Sequence, residues 1–206
     1  MTHQEFFRII WDTYQEARNL KFGNGGYNLS RGKARPVPSF LEDLFGLYVA
    51  QLLDRRDIKL LVDQSVFYGR KFQPDLLIVA NGILTHYFDI KTNLGWSRDL
   101  FGYLNEKNEL VKTLRGCQAS YIDTCKTPLT ISENLIYQIV VLHGDNINQN
   151  LLKDLMNHAS ALENIKFYVL FGEETIGGDR GAVHSKMLIR EAEFNRLDDD
   201  IKTLLP

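Results

Sequence analysis

The chain has 206 residues and a formal net charge of −2 at pH 7; 44% of its residues are hydrophobic and 24% are charged. This composition is that of an average globular protein, so it excludes collagen-like, coiled-coil and intrinsically disordered chains, and also a strongly basic protein that coats nucleic acid. The length suits a single domain, and no apolar run is long enough to predict a membrane-spanning helix.

Three local features of the sequence bear on the cellular compartment and on nucleotide binding. Cys117 and Cys125 are too few for a disulfide framework and lack zinc-ligand spacing, which favours a reducing compartment. The first residues show no basic stretch followed by an apolar one, so we expect no signal peptide and a cytoplasmic location. Residues 177–181 lack the Gly-Lys-Ser/Thr of a phosphate-binding loop, so we expect no nucleotide cofactor.

The N-terminal part combines a helix with a basic loop. Apolar residues at helical spacing predict an amphipathic helix over residues 3–20. From residue 21 to residue 41 the chain contains cations but no acidic residue, and Arg31, Lys33 and Arg35 lie close together there. Such a segment is typical either of an ordinary solvated loop or of a contact with phosphates.

The middle of the chain changes from helical to strand-like periodicity. Dense apolar positions predict a buried helix over residues 40–54. Short apolar segments then predict strands at 59–68, 75–80 and 84–92. The Asn81-Gly82 pair between the last two is a strong hairpin signal, so we expect those strands to be antiparallel neighbours.

The rest of the chain alternates helices and strands. Helical patterns cover residues 97–124, 147–162 and 191–205, and strand-like runs cover 135–142 and 165–171. The predicted order is α-α-β-β-β-α-β-α-β-α, which indicates an α/β fold (an α+β mixed sheet) with flanking helices.

Two acidic residues and a lysine form the most informative pattern. Asp75 opens one predicted strand, and Asp89 and Lys91 lie two residues apart on the next, so they share a face. Counting outward from the turn places Asp75 opposite residue 88, next to Asp89. Two carboxylates at one sheet edge are costly unless a cation compensates them, and Mg²⁺, with Mn²⁺ as a substitute, suits carboxylate oxygens. Lys91, next to them, would orient or deprotonate a water bound to the metal, and it would stabilise charge that develops on a phosphate.

This pattern resembles the PD-(D/E)XK nuclease superfamily, best known from type II restriction endonucleases. The resemblance covers residues 38–142 and rests on Pro74-Asp75, a gap of thirteen residues and Asp89-Ile90-Lys91. It implies a restriction-endonuclease-like αβββαβ core and Mg²⁺-dependent hydrolysis of DNA phosphodiester bonds. In the family pattern, Asp75, Asp89 and the backbone carbonyl of Ile90 would hold the metal, and Lys91 would act on the water.

Glu42 has two competing interpretations. The family often adds a glutamate from the helix before the strands, and Glu42 occupies the matching place, which implies a third metal ligand. Ser39-Phe40-Leu41-Glu42 is also a capping box, in which the glutamate bonds the N-cap amide and needs no metal. Asp63, on the first predicted strand, is a weaker candidate for the same carboxylate cluster.

The tripeptide Asp-Ile-Lys occurs twice more, at 57–59 and at 200–202. The first copy begins a predicted strand, and the second lies in the predicted terminal helix. Only the copy at 89–91 follows a Pro-Asp strand and an Asn-Gly turn, so only this copy predicts a site.

Basic and polar residues around the site predict contacts with the DNA backbone. The predicted contact residues are Arg31, Lys33, Arg35, Asn93, Arg98, Lys112 and Arg115. For Lys112 and Arg115, an ordinary solvated helix face is the alternative interpretation.

The sequence therefore predicts a single nuclease domain over residues 1–206. Residues 1–37 would form the N-terminal helix and basic loop, 38–142 the catalytic core, and 143–206 the completion of the fold. The expected activity is a restriction-type endonuclease that cuts double-stranded DNA as a homodimer, since cutting both strands needs two sites. The alternatives are a structure-specific repair, recombination or phage nuclease with the same catalytic residues, and a catalytically silent module that binds nucleic acid or protein.

Overall fold

The structure is a computed structural model that describes residues 1–19, 25–26, 37–94, 99–122, 125–144, 147–173, 187–203 and 205. Its helices are α1 (His3–Arg18), α2 (Pro38–Leu53), α3 (Leu100–Leu114), α4 (Gln149–Ala161) and α5 (Glu191–Thr203). Its strands are β1 (Ile58–Val62), β2 (Val66–Tyr68), β3 (Arg70–Phe72), β4 (Leu76–Ala80), β5 (Ile83–Lys91), β6 (Gln118–Ile122), β7 (Lys126–His143), β8 (Ile165–Glu173) and β9 (Met187–Ile189).

Within the described residues, the strands form one mixed sheet. Strands β1, β4 and β5 are antiparallel neighbours, and β5 pairs in parallel with the long strand β7. The other edge of β7 carries antiparallel β6 along its first part and parallel β8 along its last part. The short strands β2 and β3 extend the sheet from β6, and β9 extends it from β8.

Each face of the sheet carries its own core, because successive strand residues point to opposite faces. Helices α1, α2 and α5 cover one face, where Phe45 and Phe194 belong to the same apolar cluster as Phe88 of β5. Helices α3 and α4 cover the other face, where Leu104 belongs to the same cluster as Tyr87 of β5. The predicted fold class, a mixed sheet flanked by helices, is confirmed at this level.

The largest error of the sequence prediction concerns the helix expected over residues 97–124. Helix α3 ends at Leu114, and Gly116 adopts a φ of 71°, a left-handed conformation that ends helices. The chain then returns to the sheet as β6, which pairs with the first part of β7. Strand β7 therefore begins at Lys126, well before the predicted start at residue 135.

The remaining predictions differ from the described residues in some strands and agree with them elsewhere. The strand expected over 59–68 is divided into β1 and β2, and β3 and β9 were not predicted. The tripeptide at 57–59 leads into β1 and the copy at 200–202 lies in α5, as predicted. Cys117 and Cys125 are free thiols. No helix within the described part of the chain is long and apolar enough to cross a membrane.

Candidate active site

A tight hairpin brings β4 and β5 together. Asn81 and Gly82 have φ angles of 52° and 77°, the left-handed backbone that suits these two residue types in a two-residue turn. Ala80 pairs with Ile83 directly across the turn. The antiparallel hairpin predicted from the Asn-Gly pair is confirmed.

A β-bulge in this hairpin determines which face Asp75 occupies. The register shifts by one residue at Thr85, the extra residue of β5, whose hydroxyl donates to the Ile78 carbonyl over 3.3 Å. Extending the register beyond the last paired residues places Asp75 opposite Asp89, instead of opposite residue 88 as the sequence count predicted. Directly opposed residues of an antiparallel pair point to the same face, so the bulge puts both carboxylates on the face covered by α3 and α4.

The acidic pair and the lysine are held together by direct contacts. Asp75 Oδ2 accepts a hydrogen bond of 2.6 Å from the Ile90 amide. The Lys91 ammonium forms an ion pair with Asp89 Oδ1. The Asp89 side chain is 7% exposed and the Lys91 side chain is 42% exposed. The structure therefore brings Asp75, Asp89 and Lys91 together at the edge of the core, with the lysine toward solvent.

Burial and charge set the protonation states of Asp75 and Lys91. Burial raises the pKa of Asp75 to about 7; the hydrogen bond from Ile90 opposes this rise, and the charge of Asp89 adds to it. Burial acts to lower the pKa of Lys91, but the charges of Asp89, Asp75 and Glu42 outweigh it, so the pKa is raised. Lys91 is therefore an ammonium at neutral pH, whereas Asp75 titrates near neutral pH.

Two tyrosines complete the surroundings of Asp89. The hydroxyls of Tyr103 of α3 and Tyr137 of β7 both donate to Asp89 Oδ2, the latter over 3.2 Å, and they lie 3.0 Å from each other. Burial first, and then the charge of Asp89, raises the pKa of both tyrosines, so both remain protonated donors. Their hydrogen bonds stabilise the negative charge of Asp89 and fix its position.

Neither tyrosine was predicted from the sequence as part of the site. Tyr137 lies in the apolar run of β7 and is 2% exposed, and a hydroxyl in a buried strand is a signal that it needs a polar partner. Tyr103 offers no comparable signal, because its contact with Asp89 depends on how α3 packs on the sheet.

Glu42 does not form the predicted capping box. Helix α2 begins at Pro38 with Val37 as its N-cap residue, and no side chain of a described residue caps it. Ser39 is therefore already inside the first turn, where it cannot act as the N-cap. Proline at the first helical position starts α2 earlier than the serine signal predicted.

Glu42 instead lies within electrostatic range of Asp89 and Lys91. Burial raises the pKa of Glu42, and the charge of Asp63 raises it further. The charges of Lys91 and Asp89 also act on it, in opposite directions. Asp63 itself lies beside the site, because its amide donates to the Asp75 carbonyl over 2.9 Å.

The two carboxylates and the backbone carbonyl at the site form a donor set that suits Mg²⁺. Asp75, Asp89 and the Ile90 carbonyl offer the hard oxygen ligands that Mg²⁺ prefers, and Mg²⁺ commonly uses one or two carboxylates and keeps several waters. In the residues that the structure describes, no group of three Asp, Glu, His or Cys side chains is arranged to hold a metal. Glu42 as a third ligand stays a prediction.

Lys112 and Arg115 do not join the site. Lys112 pairs with Glu109 over 2.6 Å, and Arg115 donates to the Leu135 carbonyl over 2.9 and 3.2 Å. Lys112 is nine residues beyond Tyr103, which corresponds to about 14 Å along α3. Their predicted role in DNA binding therefore has no support from proximity to the acidic pair.

The other predicted contact residues fall into two groups. Asn93 lies just beyond the end of β5 and lines a cavity next to Lys91. The remaining residues, Arg31, Lys33, Arg35 and Arg98, lie outside the described residues.

This cavity has a volume of about 300 Å³, and its lining includes Lys91 and Tyr103, both of which contact Asp89. Its floor includes Ile139, which pairs with Asp89 across the sheet, and Phe167, which pairs with Ile139. Leu104 of α3 and Leu155 of α4 form the opposite wall. The cavity therefore extends from the site into the space between the sheet and its two covering helices.

No protein-family model matches the chain, and no curated protein matches it. The site offers two carboxylates for a divalent cation, an ammonium for a phosphate, and an adjoining cavity.

Proposed function

We propose that this protein is a Mg²⁺-dependent deoxyribonuclease of the PD-(D/E)XK type. The observation that carries the proposal is the meeting of Asp75, Asp89 and Lys91 on one face of the sheet. The element order also supports it, because α2 precedes β1, β4 and β5, and α3 precedes β7, which is parallel to β5. This is the order that the resemblance implies, with β2 and β3 inserted after β1 and β6 inserted before β7.

Each residue has a role that its protonation state allows. In hydrolysis the water oxygen forms a new bond to phosphorus and one P–O ester bond breaks, which leaves a phosphomonoester and a hydroxyl. Asp75, Asp89 and the Ile90 carbonyl would hold Mg²⁺, which would supply positive charge to the phosphate and make a water more acidic. Lys91, as an ammonium, donates hydrogen bonds to the phosphate and stabilises its negative charge; it is not the proton acceptor.

The surroundings assist this chemistry by holding Asp89 in place. Tyr103 and Tyr137 bind one of its oxygens and Lys91 binds the other, so its position is fixed from two sides. A fixed carboxylate needs little reorganisation when a cation and a phosphate bind. DNA as the substrate, and a homodimer as the arrangement that cuts both strands, belong to the same proposal.

The test compares wild-type protein with Lys91→Ala and Lys202→Ala on supercoiled plasmid DNA with Mg²⁺. Lys202 is the exposed lysine of the Asp-Ile-Lys copy in α5, so its replacement is a matched control away from the site. We expect wild type and Lys202→Ala to cleave alike. Lys91→Ala should be slower by about 10²–10³-fold, the usual cost of losing one donor that stabilises developing charge.

The metal dependence is tested in the same assay. Mn²⁺ should replace Mg²⁺, and Ca²⁺ should not, because its longer and more flexible coordination positions water poorly. Cleavage that persists in excess chelator, or that is equal in wild type and Lys91→Ala, would contradict the proposal.

A second candidate function is a nucleic-acid-binding module that does not cleave. The observation that favours it is that, among the described residues, no three carboxylates converge on a common position for a metal. This candidate predicts that wild type and Lys91→Ala are equally inactive with every divalent cation while still retarding DNA in a gel.

A further inference from the structure

We propose that the cavity beside Lys91 binds one unpaired nucleobase of the DNA, next to the phosphate that is cut. This inference rests on the proposed function, because it assumes that the phosphate lies at Asp75, Asp89 and Lys91. It adds a substrate class to that function, namely DNA in which a base near the cut has left the duplex stack.

The position of the cavity is the first argument. Lys91 belongs both to the candidate active site and to the cavity, since its ammonium pairs with Asp89 and its side chain lines the cavity. Ile139, the neighbour of Asp89 across the sheet, forms part of the floor. A nucleotide whose phosphate contacts Lys91 therefore has the cavity within reach of its own base or an adjacent one.

The size and the walls of the cavity are the second argument. Its volume of about 300 Å³ is large enough for one nucleobase. The walls include the aromatic rings of Tyr103 and Phe167 and the aliphatic side chains of Leu94 and Leu104. Flat aromatic and apolar surfaces of this kind hold flipped or single-stranded bases in other nucleic-acid enzymes.

Asn93 supplies the third argument, which points to a ligand with polar edges. It lines the cavity, and its Oδ1 is buried with no hydrogen-bond partner among the described residues. A buried acceptor without a partner is costly, and a base that donates an N–H group would satisfy it. The Asn amide presents a donor and an acceptor side by side, the pattern that complements the edge of adenine most directly.

A consequence for substrate choice follows from the energetics of unpairing. A base inside a duplex must leave its stack and its partner before it can enter the cavity. The free-energy cost of this step is smaller for a mismatched or single-stranded base. Among the nucleases with this catalytic set, the cavity thus favours one that recognises DNA structure over one that recognises an intact duplex sequence.

The experiment first maps the cut in an oligonucleotide duplex. Single abasic nucleotides are then placed, one at a time, at the positions that flank the cut, and the cleavage rates are compared with the rate for the intact strand. We expect wild type to lose about tenfold or more at one position, which corresponds to the stacking of one base. A mismatch that unpairs the base at that position should instead increase the rate.

Two cavity variants and one control localise the effect. Leu104→Phe fills the cavity, and Asn93→Ala removes the polar partner without adding volume. Leu114→Phe is the matched control, because Leu114 is a buried residue of the same helix that does not line the cavity. In Leu104→Phe and Asn93→Ala the abasic penalty should disappear or shrink, while in Leu114→Phe it should remain as in wild type. Thermal unfolding of each variant verifies that it is folded.

The outcomes separate this inference from the proposed function. If wild type cleaves but no abasic position slows it, the cavity proposal is overturned and the nuclease stands; the same conclusion holds if the penalty is equal in all variants. If wild type does not cleave at all, both proposals fail.

Discussion

The two faces of the sheet carry the same residue types in different settings. On the α3 face, Asp89 pairs with Lys91 and accepts hydrogen bonds from tyrosine hydroxyls. On the α5 face, Asp200 pairs with Lys166 and accepts a hydrogen bond of 2.7 Å from Tyr168. Both aspartates begin an Asp-Ile-Lys tripeptide. In a strand, residues two apart share a face, so Asp89 pairs with Lys91 of its own tripeptide. In a helix, residues two apart do not share a face, so Asp200 pairs with Lys166 of β8 instead.

The difference lies in the balance of charge. Around Asp200 on the α5 face, the ion pair of Lys166 with Asp200 is accompanied by that of Arg196 with Glu193, so each of these two carboxylates has its own cation. On the α3 face, Asp75 adds a second carboxylate to the single pair of Asp89 and Lys91. An aspartate, a lysine and a tyrosine thus have a structural role where their charges balance, as at Asp200. Where a similar group carries excess negative charge at the edge of a cavity, as at Asp89, it is a candidate cation site.

The largest expected effect comes from exchanging the two aspartates for asparagine. Asp89→Asn should lower the cleavage rate by about 10³-fold, because it removes charge where the cation and the phosphate meet. Asp200→Asn should leave cleavage unchanged and lower the free energy of unfolding by about 1–2 kcal/mol, the scale of a lost charged hydrogen bond. Plasmid cleavage and urea unfolding measure the two effects. Loss of activity in both variants would remove the distinction between the faces.

A pH-dependent effect on stability belongs to the α5 face. Burial lowers the pKa of His86 from its ordinary value of 6.5 to about 4. Between these values the unfolded chain binds a proton that the folded chain does not, so the free energy of unfolding should fall as the pH drops from 6.5 through 4. The loss relative to His86→Gln should reach about 3 kcal/mol. Denaturant unfolding at several pH values measures it, and parallel curves for the two proteins would refute the assignment.

The α3 face should respond to pH through metal binding. Asp75, with a pKa raised to about 7, is protonated at acidic pH, and its proton competes with a divalent cation. The affinity for Mn²⁺ should therefore fall by about tenfold for each pH unit below 7 and level off above it. Titration calorimetry provides the measurement. Asp75→Asn should bind Mn²⁺ weakly at every pH, whereas Asp200→Asn should bind it as wild type does. Weak Mn²⁺ binding by Asp200→Asn would mean that the ion binds on the α5 face and would contradict the prediction.

The smallest effects concern the tyrosine hydroxyls. Tyr168→Phe should cost about 1 kcal/mol of unfolding free energy with no loss of cleavage, because its partner Asp200 has a structural role. Tyr103→Phe should have a similar cost in stability but should also lower kcat several-fold, because Asp89 loses one of the groups that position it. If the two variants have the same kcat, Tyr103 has no positioning role.

Much of the site could be predicted from local sequence patterns. The Asn81-Gly82 turn fixes the hairpin, and the period of two in a strand fixes the common face of Asp89 and Lys91. The bulge at Thr85 could not be predicted, because no sequence signal distinguishes it from regular pairing. It nevertheless corrects the register, so that Asp75 lies opposite Asp89.

Contacts between distant parts of the chain explain the remaining errors. The apolar spacing of residues 118–122 continues the helical pattern of α3, but these residues pair with the first part of β7 and therefore form a strand. The approach of Tyr103 to Asp89 likewise depends on the packing of α3 against the sheet. The glycine at 116 was the one local signal of the boundary between helix and strand.

The most direct test is a single-turnover experiment with protein in excess over a defined DNA duplex in the presence of Mg²⁺, with the fragments weighed by mass spectrometry. We expect fragments whose summed mass exceeds that of the parent strand by one water per cut, whereas Asp89→Asn should leave almost all of the DNA intact over the same time. An intact duplex with the wild-type protein, or the same yield of fragments from Asp89→Asn at that time, would contradict the proposed hydrolysis.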